Sequence, residues 1–89
     1  MKLVLDGRRM TDKETLHQYL KEQLRFPDYY GCNLDALNDM LGEAEEPLEL
    51  CLEYEQELLE SLGDYGRAFV EVLQDASADN PMILFKRGE

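Results

Sequence analysis

The sequence predicts an α/β fold: a small three-stranded parallel sheet with helices packed on it, in the order β-α-α-β-α-α-β. Three observations predict it. Short apolar runs of strand length stand at the beginning, middle and end of the chain; two helix-period segments separate each run from the next; and crossovers of that length are what parallel neighbours require. The crossovers are expected to be right-handed. A length of 89 residues predicts one domain, spanning residues 1–89, and 44% hydrophobic with 33% charged residues is a globular rather than a disordered composition.

Lys2 to Leu5 forms the first strand, closed by the Asp6-Gly7 turn signal. Thr11 and Glu14 resemble a capping box for a helix that carries Leu16, Leu20 and Leu24 on one face, flanked by Tyr19 and Gln23. Pro27 disfavours helical geometry at Phe26, so this helix is expected to end near Arg25. Asn33 is a good N-cap for a shorter helix with Leu34, Leu37 and Leu41 as its apolar stripe, Met40 beside it and Gly42 placed as its C′ residue. After Pro47, the alternation in Leu48-Glu49-Leu50-Cys51-Leu52 puts three leucines on one strand face, and Glu49 on the other suggests an open face or an edge. Glu53 to Leu62 reads as a short helix ending at Gly63, with Leu58, Leu59 and Leu62 inward. A further helix opens at Asp64 or Tyr65 and buries Phe69, Val72, Leu73 and Ala76. Asp79-Asn80-Pro81 breaks it, and the continuous apolar run Met82 to Phe85 reads as a central or well-covered last strand.

The formal net charge is −11, and its distribution is informative. From Phe26 to Gly66 there is no Lys or Arg, while 12 Asp and Glu fall in those 41 residues. The rest of the chain is nearly balanced. This predicts an acidic side that would steer a basic partner, and it argues against nucleic acid as a direct ligand. No apolar run is long enough to span a bilayer, and Asp6-Gly7 arrives too early for a signal peptide, so a cytoplasmic protein without membrane contact is expected. Cys32 and Cys51 lack the spacing of a zinc site and read as reduced thiols, one or both partly buried. No metal or cofactor is expected.

The second helix concentrates the remaining signal. Asp35, Asn38, Asp39 and Gly42 share one face, opposite or oblique to the leucines, and Asp35 sits favourably at the positive end of the helix dipole. Periodicity alone favours a solvated polar face. A catalytic or metal-binding carboxylate pair lacks a third ligand at sensible spacing and a glycine-rich phosphate loop; the one histidine, His17, lies in the first helix, where a surface or packing role fits better than general-base work. A docking surface is the third reading: two carboxylates meeting the Arg or Lys groups that ordinarily hold phosphate, with Tyr29 and Tyr30 adding rigid aromatic area.

The run Phe26-Pro27-Asp28-Tyr29-Tyr30-Gly31-Cys32-Asn33-Leu34-Asp35-Ala36-Leu37-Asn38-Asp39-Met40-Leu41 closely resembles the barstar family of intracellular ribonuclease inhibitors. The likeness extends back through Leu16-His17-Gln18 and Leu20-Lys21 and forward through Pro47-Leu48 to the last strand. The resemblance implies a barstar-like fold and a protein that is not an enzyme and has no catalytic residues. It would form a 1:1 complex with a basic, barnase-like ribonuclease by plugging the active site, and would be a monomer when free. The matching contact positions are Tyr29, Gly31, Asn33, Leu34, Asp35, Asn38, Asp39 and Gly42, with Val72 and, across one gap, Asp75 as rim contacts. Asp39 would stand where a substrate phosphate sits, and Asp35 and the Tyr29 ring would engage neighbouring basic and histidine groups. Asn38 replaces a tryptophan typical of the motif, and the stretch after Gly42 is one residue shorter than in the best-known member and lacks an aromatic. These departures leave open an immunity protein against a diverged ribonuclease-like toxin, or a barstar-fold binding and regulatory module without a nuclease target.

Overall fold

A computed structural model describes residues 1–88. The elements are β1 (Lys2–Asp6), a 3-10 turn (Gly7–Arg9), α1 (Lys13–Leu24), α2 (Leu34–Gly42), β2 (Leu48–Glu53), α3 (Glu55–Leu62), α4 (Asp64–Asp79) and β3 (Ile83–Arg87). The three strands form one parallel sheet in the order β1-β2-β3, so the expected element order and parallel pairing are both present. The expectation of a central last strand is corrected: β2 is central and β3 lies at an edge. A continuous apolar run reports covering of strand faces, which is independent of whether a strand's hydrogen-bonding side is paired. Even the face signal was incomplete, because Leu84 is 49% exposed.

One sheet face is covered and the other is open. Leu5, Leu50, Leu52 and Ile83 are buried in the core with Leu16, Leu20, Leu37, Leu41, Leu58, Phe69 and Leu73 from the helices. On the alternate positions Val4 and Leu84 are exposed, and Glu49 lies between Lys2 at 3.9 Å and Lys86 at 3.5 Å. Glu49 is thus a central-strand residue on the open face, where water and two ammonium groups solvate it.

Several local readings shift by a residue or two. The cap of α1 is Asp12, not Thr11: its Oδ1 accepts from the Thr15 N–H at 2.8 Å, and Thr11 stays exposed. Asp and Thr both cap, and the residue that reaches the extended geometry one step before the first helical turn takes the role. Gly42 is the last residue of α2 rather than a left-handed C′ residue; Glu43 follows with φ −91°. Glu53 belongs to β2, and α3 begins at Glu55 after Tyr54 at φ 58°. Val70 is buried on α4 where Val72 was expected, and Val72 is half-buried. Gly7 is required by contact: a Cβ there would lie 2.3 Å from the Tyr54 carbonyl oxygen. Arg8 stacks over the Tyr54 ring at 3.8 Å, which supports that residue's left-handed backbone.

The two sheet edges are closed alike. In β1, residues Lys2, Val4 and Asp6 turn their backbone groups away from β2, since Met1 O is the group that accepts from Glu49 N–H. The Tyr19 hydroxyl from α1 accepts from Asp6 N–H at 3.0 Å and donates to Val4 O at 3.5 Å. In β3 the outward residues are Ile83 and Phe85. The Ser77 hydroxyl from α4 donates to Ile83 O at 3.1 Å and accepts from Phe85 N–H at 3.3 Å. Each hydroxyl stands in for the peptide group of a missing strand and blunts the edge against pairing with another chain. Tyr19→Phe and Ser77→Ala are each expected to lower stability by about 1–2 kcal/mol, additively to within about 0.5 kcal/mol because the edges share no partner. Urea unfolding of the two single variants and the double variant measures this.

Candidate functional site

The site expected from the sequence lies on α2 and the loop before it. Asn33 caps the helix as anticipated, its Oδ1 accepting from Ala36 N–H at 2.7 Å. Leu37 and Leu41 are fully buried and hold one side of α2 in the core, while Leu34 and Met40 pack partly against it. The opposite side exposes Asp35, Asn38, Asp39 and Gly42. Before the helix, Tyr29 is 81% exposed, and Gly31 and Asn33 are also exposed. Cys32 adopts φ 55°, which turns the chain into the extended Asn33 cap. Of the two rim positions, Val72 is half-buried and Asp75 exposed; both lie on α4, the helix that packs along α2.

The electrostatics of this face are uncompensated. Asp35 and Asp39 are four residues apart on a helix with no basic residue in its last turn. Among the described residues, neither takes part in an ion pair within 4 Å. The wider acidic stretch is less uniform than its sequence suggests. Asp28, Glu49, Glu55 and Asp64 pair with Lys21, Lys2 and Lys86, Arg87 and Arg67 respectively, while Glu43, Glu45 and Glu46 behind α2, and Glu53, Glu57 and Glu60 further on, form no ion pair within 4 Å among the described residues.

Two supports, one of α2 and one of the loop before it, have partners that were missed in the sequence. Asn80, read there only as a helix breaker, donates through Nδ2 to Leu41 O at 2.9 Å and Ala44 O at 3.1 Å, satisfying carbonyls at the end of α2. Its Oδ1 accepts from Met82 N–H at 2.9 Å, tying that end of α2 to the start of β3. The second is His17, which is 1% exposed. Its Nδ1 is 2.8 Å from the Tyr30 hydroxyl and its Nε2 2.7 Å from the Tyr65 hydroxyl, so both nitrogens are committed to packing partners. No periodicity signals these contacts, because they join residues 13 and 48 positions apart.

The described residues contain no group of three or more His, Cys, Asp or Glu placed to hold a metal. Cys32 is exposed and Cys51 half-buried, both free thiols. An open concavity of about 650 Å³ lies beyond the far end of α2, lined by Met1, Leu24, Glu43, Ala44, Glu45, Glu46, Pro47 and Leu48. It brings together no nucleophile and base. No helix of the described chain is long and apolar enough to cross a membrane.

Fold and site together define a class: a small α/β protein on a parallel three-stranded sheet, presenting an acidic helix at its surface. Residues 1–86 match the family model described as Barstar (barnase inhibitor). The chain is also 44% identical over 79 residues to a Bacillus subtilis (strain 168) protein named "Putative ribonuclease inhibitor YrdF", covering 88% of this chain and 87% of that one. The chain belongs to the barstar family.

Burial holds His17 below its ordinary value of 6.5. The unfolded chain therefore takes up this proton first. The resulting stability is full above about pH 6.5 and is lost as the pH falls from there towards the folded value, by at most about 1.4 kcal/mol per unit. Arg8 beside Asp6, Arg87 beside Glu55 and the Thr15 N–H on Asp12 hold those carboxyls low as well, but their contribution is lost only in the acid range. The urea midpoint is expected to fall between about pH 7.5 and 5.5, and His17→Gln is expected to flatten that fall.

Proposed function

We propose that the chain is a stoichiometric inhibitor of a basic, barnase-like ribonuclease, which it blocks by laying α2 and the preceding loop across the nuclease's active site. Membership of the barstar family and the likeness to a protein named as a ribonuclease inhibitor support this reading. The observation that carries it is the exposed pair Asp35 and Asp39, which has no cation of its own. In the free protein the two carboxylates repel modestly. Against a phosphate-binding cluster of Arg and Lys, that repulsion is outweighed by the attraction of each carboxylate to the partner's cations in a desolvated interface. Asp39 takes the place of a substrate phosphate. Asp35 and the Tyr29 ring meet the neighbouring basic and histidine groups, with Gly31, Asn33, Leu34 and Gly42 shaping the contact and Val72 and Asp75 at its rim. The protein acts as a cytoplasmic monomer, is not an enzyme and does not bind RNA itself.

A second reading, immunity against a diverged ribonuclease-like toxin, is favoured by Asn38. This exposed amide stands where the family typically carries a tryptophan, which reduces the apolar area offered beside Asp39.

Titrating RNA cleavage by barnase with this protein is expected to abolish activity at one equivalent in low salt. Lack of inhibition of any barnase-like nuclease would overturn the proposal. Asp39→Ala is expected to weaken binding by on the order of 3 kcal/mol, roughly a hundredfold or more in Kd, because it leaves the partner's buried cations unpaired. Glu57→Ala on α3 should change Kd less than about twofold, and raising the salt should slow association more than it speeds dissociation. Equal effects of the two substitutions would mean that α2 is not the docking face.

A further inference from the structure

The loop from Pro27 to Cys32 carries the exposed Tyr29 and sets the start of α2, yet little ties it to the rest of the molecule. Its backbone bond, Tyr30 N–H to Pro27 O at 3.0 Å, is local, and the Asn33 amide reaches only as far as Gly31 O at 3.2 Å. The Lys21–Asp28 pair, at 3.6 Å, involves a fully exposed carboxylate and is screened by salt. Tyr30 is different. It is 5% exposed, its ring packs on Phe26 with centroids 4.6 Å apart, and its hydroxyl meets His17 Nδ1 at 2.8 Å. Among the described residues this is the one buried polar tie between the loop and the body of the protein.

His17 is itself fixed from the far side. Its Nε2 meets the hydroxyl of Tyr65, in the first turn of α4, at 2.7 Å, and the Lys13 ammonium lies 4.7 Å from the Tyr65 ring centroid. A neutral imidazole has one N–H donor and one acceptor nitrogen. One tyrosine therefore donates to the ring and the other accepts from it, giving a single ordered chain from α4 through α1 to the loop.

We propose that Tyr30 is the positioning residue of the docking surface: its hydroxyl bond to His17 holds the loop so that Tyr29 and the Asn33 cap are presented in one arrangement before the partner arrives. The proposal rests on the docking reading of α2 and adds a residue that points inward from it. Tyr30 acts through Tyr29 and Asn33, by reducing the ordering that association would otherwise require. The effect belongs in dissociation, because a loosened loop opens more often within the complex while the charge field that governs encounter is unchanged.

The experiment compares Tyr30→Phe with Tyr65→Phe, each of which removes one hydroxyl and keeps the ring. In the free proteins, amide hydrogen exchange is read at Tyr30, whose N–H bonds to Pro27 O, and at Ala36, whose N–H bonds to the Asn33 cap. Tyr30→Phe is expected to speed it up to about tenfold, the scale of one net hydrogen bond, and Tyr65→Phe less than about twofold, although both lose global stability. Dissociation from barnase should accelerate by a similar factor for Tyr30→Phe alone, with association unchanged. At position 17, the Asn amide occupies the place of Nδ1 and the Gln amide that of Nε2. His17→Asn should therefore keep the loop slow to exchange, while His17→Gln should behave as Tyr30→Phe does. A purely structural role would not separate either pair, so equal exchange within them, or unchanged exchange in Tyr30→Phe, overturns the proposal. If the wild-type protein does not bind barnase, the function proposed above fails, while the exchange comparison still decides this one.

Discussion

A parallel sheet of three strands needs helical crossovers, and a chain this short places the buried residues of all three strands on one face. The covered face supplies Leu5, Leu50, Leu52 and Ile83 to a core completed by helix residues such as Leu37, Leu58 and Phe69. The open face must then be solvated, and both edges must be closed without a fourth strand. Glu49 between two lysines answers the first need, and the hydroxyls of Tyr19 and Ser77 answer the second. The same two residues dock helices on the sheet margins, so edge closure and helix placement are one arrangement.

With the sheet so covered, α2 can carry more charge than its own stability uses: Asp35 suits the helix start, but Asp39 adds repulsion. Two carboxylates four residues apart, with no compensating cation, disfavour a nine-residue helix. The helix is held from elsewhere: by the Asn33 cap at one end, the Asn80 amide at the other, and Leu37 and Leu41 in the core. This separation of support from display is what an acidic docking element requires. The inward side contributes packing, the outward side remains polar, and neither restricts the other.

Most of the fold was legible because its signals are local and periodic. Leucine spacing marks α1 and α2, alternation marks β2, and Asn33 marks a helix start. The errors lie where two residues compete for one role or where the deciding contact is distant. Asp12 outcompeted Thr11 for a cap by one residue of backbone geometry. The continuous apolar run at β3 could not reveal an edge strand, because Ser77 closes that edge from α4. Of the site, the exposed face of α2 follows from helical periodicity. The aromatic clamp on His17 does not, since neither tyrosine lies on its helix.

By itself, then, the sequence determined the element order, the parallel sheet and the shared face of Asp35 and Asp39, which are written in spacing and composition, and the family resemblance, which the run from Phe26 to Leu41 carries. The tertiary structure alone decided that β2 is central, that Glu49 and Glu55 meet bases from distant strands, with Glu49 on an open face, and that Asn80 braces α2 and Tyr30 the loop before it. The physical reason is common to these features. Each depends on a hydrogen bond, ion pair or strand neighbour between residues far apart in the chain, and only the packed sheet brings such residues within reach of one another.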